Sequence, residues 1–119
     1  MDARVRTGLL YDFYGPLLTA RQQRFVELYF DEDLSLGEIA AEFEVSRQAV
    51  HDILRRSEAA LEVFEAKLGL LERYQRERKT WERLRELVAR LQASALEESE
   101  KKLVEEIATL VESMGREVD

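Results

Sequence analysis

Residues 36–54, LGEIAAEFEVSRQAVHDIL, constrain this chain more than any other stretch. Apolar residues recur there at helical spacing on both sides of a short polar break. Ile39, Ala40 and Phe43 share one face of a first helix, Val45 plugs the break, and Val50, Ile53 and Leu54 return on a second helix. Two helices joined by three or four residues in this way make a helix-turn-helix. Ala40 is small where the helices must cross closely. Ser35 and Glu38 form an S-x-x-E capping box at the start of the first helix. Ser46 stands where the second needs an N-cap, so that its hydroxyl accepts from an orphan backbone N–H.

The rest of the chain supports an all-α fold. Only five glycines and one proline interrupt a sequence rich in Leu, Glu, Arg and Ala. At 119 residues it is one domain, or a small domain plus an extension, able to bury roughly two-thirds of its unfolded surface. It has no cysteine, hence no disulfide framework and no thiolate metal site. It has no apolar run of membrane-spanning length and no signal-peptide pattern, so a cytoplasmic location is expected.

A first helix is expected over residues 2–14, with Val5, Leu9 and Phe13 in one apolar row and Leu10, Tyr14 and Leu17 in another, ending at Gly15-Pro16. Thr19, with Gln22 as capping partner, starts a helix to about Phe30 that turns Phe25, Leu28 and Tyr29 inward. The second motif helix runs on through Leu61, Phe64, Leu68 and Leu71. Near Gly69 the apolar phase slips to Tyr74, Trp81, Leu84, Val88, Leu91 and Ala95, which predicts a turn and a new helix over residues 70–91. A last helix is expected from a Ser94–Glu97 capping box, with Leu96, Leu103, Ile107, Leu110 and Met114 as its seam and Gly115 as its stop. Residues 116–119 are expected to fray. The division expected is a helix-turn-helix domain over residues 1–68 and a C-terminal helical extension over 69–119. Two successive seams are much for one small chain to cover, which favours a homodimer through the C-terminal helices.

The net charge is −7, and its distribution matters more than its sum. Residues 1–59 hold 7 basic and 11 acidic side chains, residues 67–90 hold 8 and 4, and residues 91–119 hold 3 and 8. The basic segment therefore follows the helix-turn-helix. In the motif, Arg47, Gln48, His51, Asp52 and Arg55 point to solvent. Arg and Gln suit guanine and adenine edges, and Arg55 and Arg56 suit phosphate, whereas Asp52 opposes phosphate. In the basic segment, Arg73, Arg76, Arg78, Lys79 and Arg83 are interleaved with Tyr74 and Trp81. That composition fits an RNA backbone with unstacked bases, and equally a solvated helix held by i,i+4 pairs such as Glu72–Arg76.

Little points to catalysis. His51 is the single histidine, and Asp52 sits about 100° around the helix from it, so neither a His–carboxylate pair nor a zinc site is drawn. Asp31-Glu32-Asp33 lacks EF-hand spacing, and no glycine-rich phosphate loop is present. No enzyme, cofactor or metal is expected.

D-F-Y-G-x-L-L-T-x-R-Q at residues 12–22 and S-L-x-E-I-A-x-x-F-x-V-S-R-Q-A-V-x-D at residues 35–52 together resemble the YlxM family, over about residues 8–90. The resemblance implies a fold related to region 4 of bacterial sigma factors: an all-α, sigma-region-4-like helix-turn-helix bundle with a C-terminal helical extension. It further implies an accessory or regulatory role in the signal recognition particle pathway, through the particle's RNA, its GTPase, or both. The positions sigma region 4 uses on DNA fall on Arg47, Gln48, His51 and Asp52. Asp52 departs from that pattern. Three readings stand: an RNA- or GTPase-binding accessory of the particle, a duplex-DNA-binding transcription regulator, and a protein adaptor that touches no nucleic acid.

Overall fold

A computed structural model describes residues 1–118, with side chains as far as Arg116. Six α-helices and two short irregular turns of helix follow one another, with no strand among the described residues. The chain divides into two compact units, Met1–Leu71 and Glu72–Asp119.

In the first unit the first four α-helices each begin at a side-chain cap. Asp2 accepts from Arg4 N at the start of α1 (Ala3–Tyr14). Thr19 and Gln22 close a reciprocal capping box on α2 (Ala20–Val26), and Ser35 and Glu38 close another on α3 (Leu36–Phe43). Ser46 Oγ accepts from Ala49 N at the start of α4 (Arg47–Leu68). These local bonds satisfy helix-end donors that have no backbone partner. Between α3 and α4, Glu44 takes the left-handed conformation (φ 54°), which places Val45 N on Ala40 O at 3.0 Å and turns the chain sharply.

The long helix α4 is the spine, packed by α1, α2 and α3. Its Val50, Leu54, Ser57 and Leu61, three or four residues apart, are buried. Ser57 donates its hydroxyl to Ile53 O and so is accommodated without an unpaired polar atom. Phe25 meets Phe43 at a centroid distance of 4.7 Å, and Ile39 and Ala40 bring α3 into the same core.

Two apolar rows differ from expectation. Leu17 is exposed and Leu18 is buried, because the short 3-10 turn Gly15–Leu17 advances the phase of the chain. Leu68 is 57% exposed while Leu71 is buried, because α4 stops there at left-handed Gly69 (φ 64°) and α5 (Leu70–Gln92) starts in a new phase. The helix expected to reach Phe30 is α2 followed by a π-turn, Glu27–Asp31.

Tyr11 donates to Glu27 Oε1 at 2.6 Å, and Tyr14 donates to Glu65 Oε1 at 2.7 Å. Burial, then the adjoining carboxylates, push both phenols above their ordinary value of about 10. The folded state thus keeps protons that the unfolded state releases, so this contribution is whole below pH 10 and declines as pH rises toward the folded values. Stability is expected to fall above pH 10, and Tyr11→Phe to flatten that fall, in urea titrations across the alkaline range. An unchanged slope in the variant would contradict it.

The second unit is a hairpin of α5 and α6 (Glu98–Val118). Trp81, Val88 and Val111, with Ala108 against them, form its centre, and Trp81 Nε1 donates to Val111 O at 2.7 Å. Here the expected α6 seam is corrected. Val104 and Val111 are buried, whereas Leu103, Ile107, Leu110 and Met114 are exposed, one helical phase away. On α5, Trp81 and Val88 face inward, but Leu84 and Leu91 are exposed. Gly115 is no stop, since α6 runs through it. A Cβ at 115 would fall within the Trp81 indole, so its bare backbone is what admits the ring. The Ser94–Glu97 capping box does not form: Ser94 donates to Leu91 O at the end of α5, and α6 opens at Glu98. The expected fraying of residues 116–119 meets a helix that reaches Val118, and Asp119 lies outside the described residues.

Candidate nucleic-acid interface

The start of α4 presents the first set of candidate residues. Arg47, Gln48, His51, Arg55 and Arg56 are all exposed, as is Asp52. They do not form an undisturbed basic surface. Gln48 Nε2 donates to Asp52 Oδ1 at 2.9 Å, one turn along, and His51 Nδ1 lies 3.8 Å from the same carboxylate oxygen, so these neighbours approach each other despite the angle expected to separate them. To bind an adenine edge, Gln48 must give up this bond. Arg47 folds back over Gly37 at the start of α3, where a Cβ would stand 2.9 Å from Nη2. Arg55 and Arg56 have no ion pair among the described residues and reach solvent one to two turns farther along. Glu42 and Glu44 are exposed at the end of α3 and in the turn. Electrostatically, this end of the motif is mixed.

The second set lies on α5, and the helix sorts it by face. Arg73 is tied to Glu77 at 2.8 Å, and Arg78 to Glu82 at 3.4 Å, on separate faces. Arg76, Lys79 and Arg83 fall together on the side turned away from Trp81 and Val88, and Arg90 extends the row. From Arg76 to Arg90 the row is about 21 Å long, at 1.5 Å per residue. Arg83 has Glu86 at 3.2 Å, whereas Arg76, Lys79 and Arg90 have no ion pair among the described residues, so the expected Glu72–Arg76 pair is replaced by Arg73–Glu77 and Arg78–Glu82 as the i,i+4 pairs of this helix. Glu72 and Glu86 are the acidic members of this side. Arg90 was not among the residues singled out from the sequence, although the sevenfold steps from Arg76 to Arg83 to Arg90 place it in the row. Arg85 belongs elsewhere: it pairs with Glu112 at 3.0 Å and lies over the Trp81 ring.

Among the described residues, no group of three or more His, Cys, Asp or Glu is placed to hold a metal ion. No helix there is long and apolar enough to cross a membrane.

The family described as "Putative helix-turn-helix protein, YlxM / p13 like" matches residues 1–109. The chain belongs to this family. It is similar to the YlxM protein of Bacillus subtilis, at 42% identity over 116 residues, which is 98% of this chain and 96% of that protein. It is also similar to the GK1195 protein of Geobacillus kaustophilus, at 51% over 90 residues, covering 76% and 82% of the two chains. A relative from Desulforamulus reducens is 56% identical over 75 residues, 63% of this chain and 64% of its own. The YlxM-like match takes in α1–α5 and much of α6, so both compact units are family features. The family is described by its helix-turn-helix and not by a reaction.

Proposed function

We propose that this family member is a non-enzymatic accessory or regulatory protein of the signal recognition particle pathway, acting in the cytoplasm and binding the particle's RNA through α5. The observation that carries this reading is the row of Arg76, Lys79 and Arg83 along one side of α5, in which Arg76 and Lys79 have no ion pair among the described residues. Arg76 and Lys79 offer cations to phosphates without first breaking an internal bond, while Arg83 exchanges its Glu86 partner for phosphate, and arginine suits phosphate through its forked donors. The pathway itself is what the resemblance to the YlxM family implies. Arg73 and Arg78 sit at the margins of the contact, since each is engaged by a neighbouring carboxylate. Arg47, Gln48, His51, Arg55 and Arg56 form a second contact surface on the other unit.

The test is capture of tagged protein from native lysate, with and without RNase, scoring the particle's RNA and its GTPase. Charge reversal of Arg76, Lys79 and Arg83 together is expected to weaken RNA capture about a hundredfold at physiological salt and to reduce the salt dependence. RNA recovery unaffected by the triple reversal would remove this surface. GTPase recovery that survives RNase would identify the protein as the direct partner.

The second reading, a duplex-DNA regulator, is favoured by one observation: Arg47, Gln48 and His51 are exposed near the N-terminus of the second motif helix, the end that reads base edges in helix-turn-helix proteins. On that reading, alanine at Arg47 and Gln48 costs about 1–3 kcal/mol per bidentate contact in site-selection binding assays. The Gln48–Asp52 bond and the acidic surroundings place it second.

A further inference from the structure

The α5–α6 hairpin covers one side of each helix and leaves another bare. Leu84, Leu87 and Leu91 on α5, and Ile107, Leu110 and Met114 on α6, are each between 37% and 59% exposed. Trp81 beside Gly115 and Arg85 beside Glu112 make the two helices antiparallel. Both exposed rows are displaced by about a quarter turn, in the same sense, from the residues that face the other helix. In an antiparallel pair, that puts the two rows on the same side of the hairpin, as one continuous apolar face. The covered side is thin, since its centre is Trp81, Val88 and Val111 with Ala108. Helical units this small usually gain a further layer by association.

The charges bordering this face differ by helix. On α5 the row is bordered by Arg83 and Arg90, and on α6 by Glu106. Neither Arg90 nor Glu106 has an ion pair among the described residues. We propose that the face is covered by a second copy of this chain, in a two-fold four-helix arrangement that lays α5 of one copy on α6 of the other. The alternative two-fold, α5 on α5 and α6 on α6, brings like-charged borders together, which opposes association. Trp81 lies beside Gly115, and Val88 shares a cluster with Ala108, so position 90 is level with position 106. An axis along the hairpin preserves that level and sets Arg90 of one copy beside Glu106 of the other, twice per dimer by symmetry. This arrangement does not depend on the nucleic-acid reading, because sedimentation of nuclease-treated protein reads it without any RNA.

The experiment is sedimentation equilibrium of the full chain over micromolar concentrations. A mass twice that of the 13.9 kDa chain is expected. Leu110→Glu is expected to give a monomer with unchanged circular dichroism, since Leu110 is outward in the single chain. Arg90→Glu and Glu106→Arg are each expected to weaken association on the order of tenfold, and the double variant to recover it. A wild-type chain that stays monomeric throughout, or a dimer indifferent to Leu110→Glu, overturns the proposal. A double variant weaker than either single variant overturns the α5-on-α6 arrangement.

Discussion

Gly115→Leu is expected to open the C-terminal hairpin. The new side chain would occupy the space of the Trp81 indole, so the ring must leave. Its departure uncovers the hairpin's largest buried side chain and leaves Val111 O without the bond from Trp81 Nε1. Losing a buried tryptophan's packing costs about 3–5 kcal/mol, and a two-helix unit with so small a centre has little beyond that to lose. Trp81 is the single tryptophan, so its fluorescence reports this site alone. The variant should show red-shifted emission and lose helix signal, while the first unit still melts cooperatively. Native emission with an unchanged melting temperature would refute the packing described. Gly115→Ala should fall between wild type and leucine.

Glu65→Ala is expected to cost about 3 kcal/mol, through a different mechanism. Glu65 Oε1 accepts from Tyr14 Oη at 2.7 Å and from Leu71 N at 2.9 Å, while Tyr14 Oη accepts from Leu70 N at 3.0 Å. Together, a carboxylate from α4 and a phenol from α1 satisfy the first two backbone donors of α5, immediately after the left-handed Gly69. Removing the carboxylate strands a buried hydroxyl and a buried N–H, each worth about 1–3 kcal/mol when left without a partner. Glu65→Gln keeps an acceptor oxygen and should recover most of the loss. Urea denaturation gives the magnitude, and hydrogen exchange at Leu70 and Leu71 locates it. Unchanged protection at those two amides in Glu65→Ala would contradict the role assigned to the carboxylate.

The sequence was most legible where the deciding interaction is local. The Thr19–Gln22 and Ser35–Glu38 boxes, the Ser46 cap and the break at Gly69 each depend on residues within three or four positions, and each is where the spacing places it. The helix-turn-helix was legible for the same reason. The C-terminal helix was not. Its apolar residues offer two faces: Leu103, Ile107, Leu110 and Met114, or Val104, Ala108, Val111 and Gly115. Size favours the leucines, and periodicity cannot separate the two faces. What decides is a long-range fit: a wide indole on α5 needs a shallow groove, and only the valine, alanine and glycine face supplies one. The candidate site divides likewise. That the segment after the motif is basic was plain from composition. Which cations share a side, and which are held by Glu77 or Glu82, depends on the phase of α5.

The π-turn at Glu27–Asp31 has a consequence for comparing relatives. A π-turn is an α-helix carrying one additional residue, accommodated by widening a single turn. Here it lets Leu28 stay buried while the chain reaches Leu34, whose N–H bonds Leu28 O at 3.0 Å. A homologue one residue shorter between positions 26 and 32 can therefore be built on the same core with a regular α-turn. Across an alignment gap of one residue there, the flanking positions remain structurally equivalent on both sides.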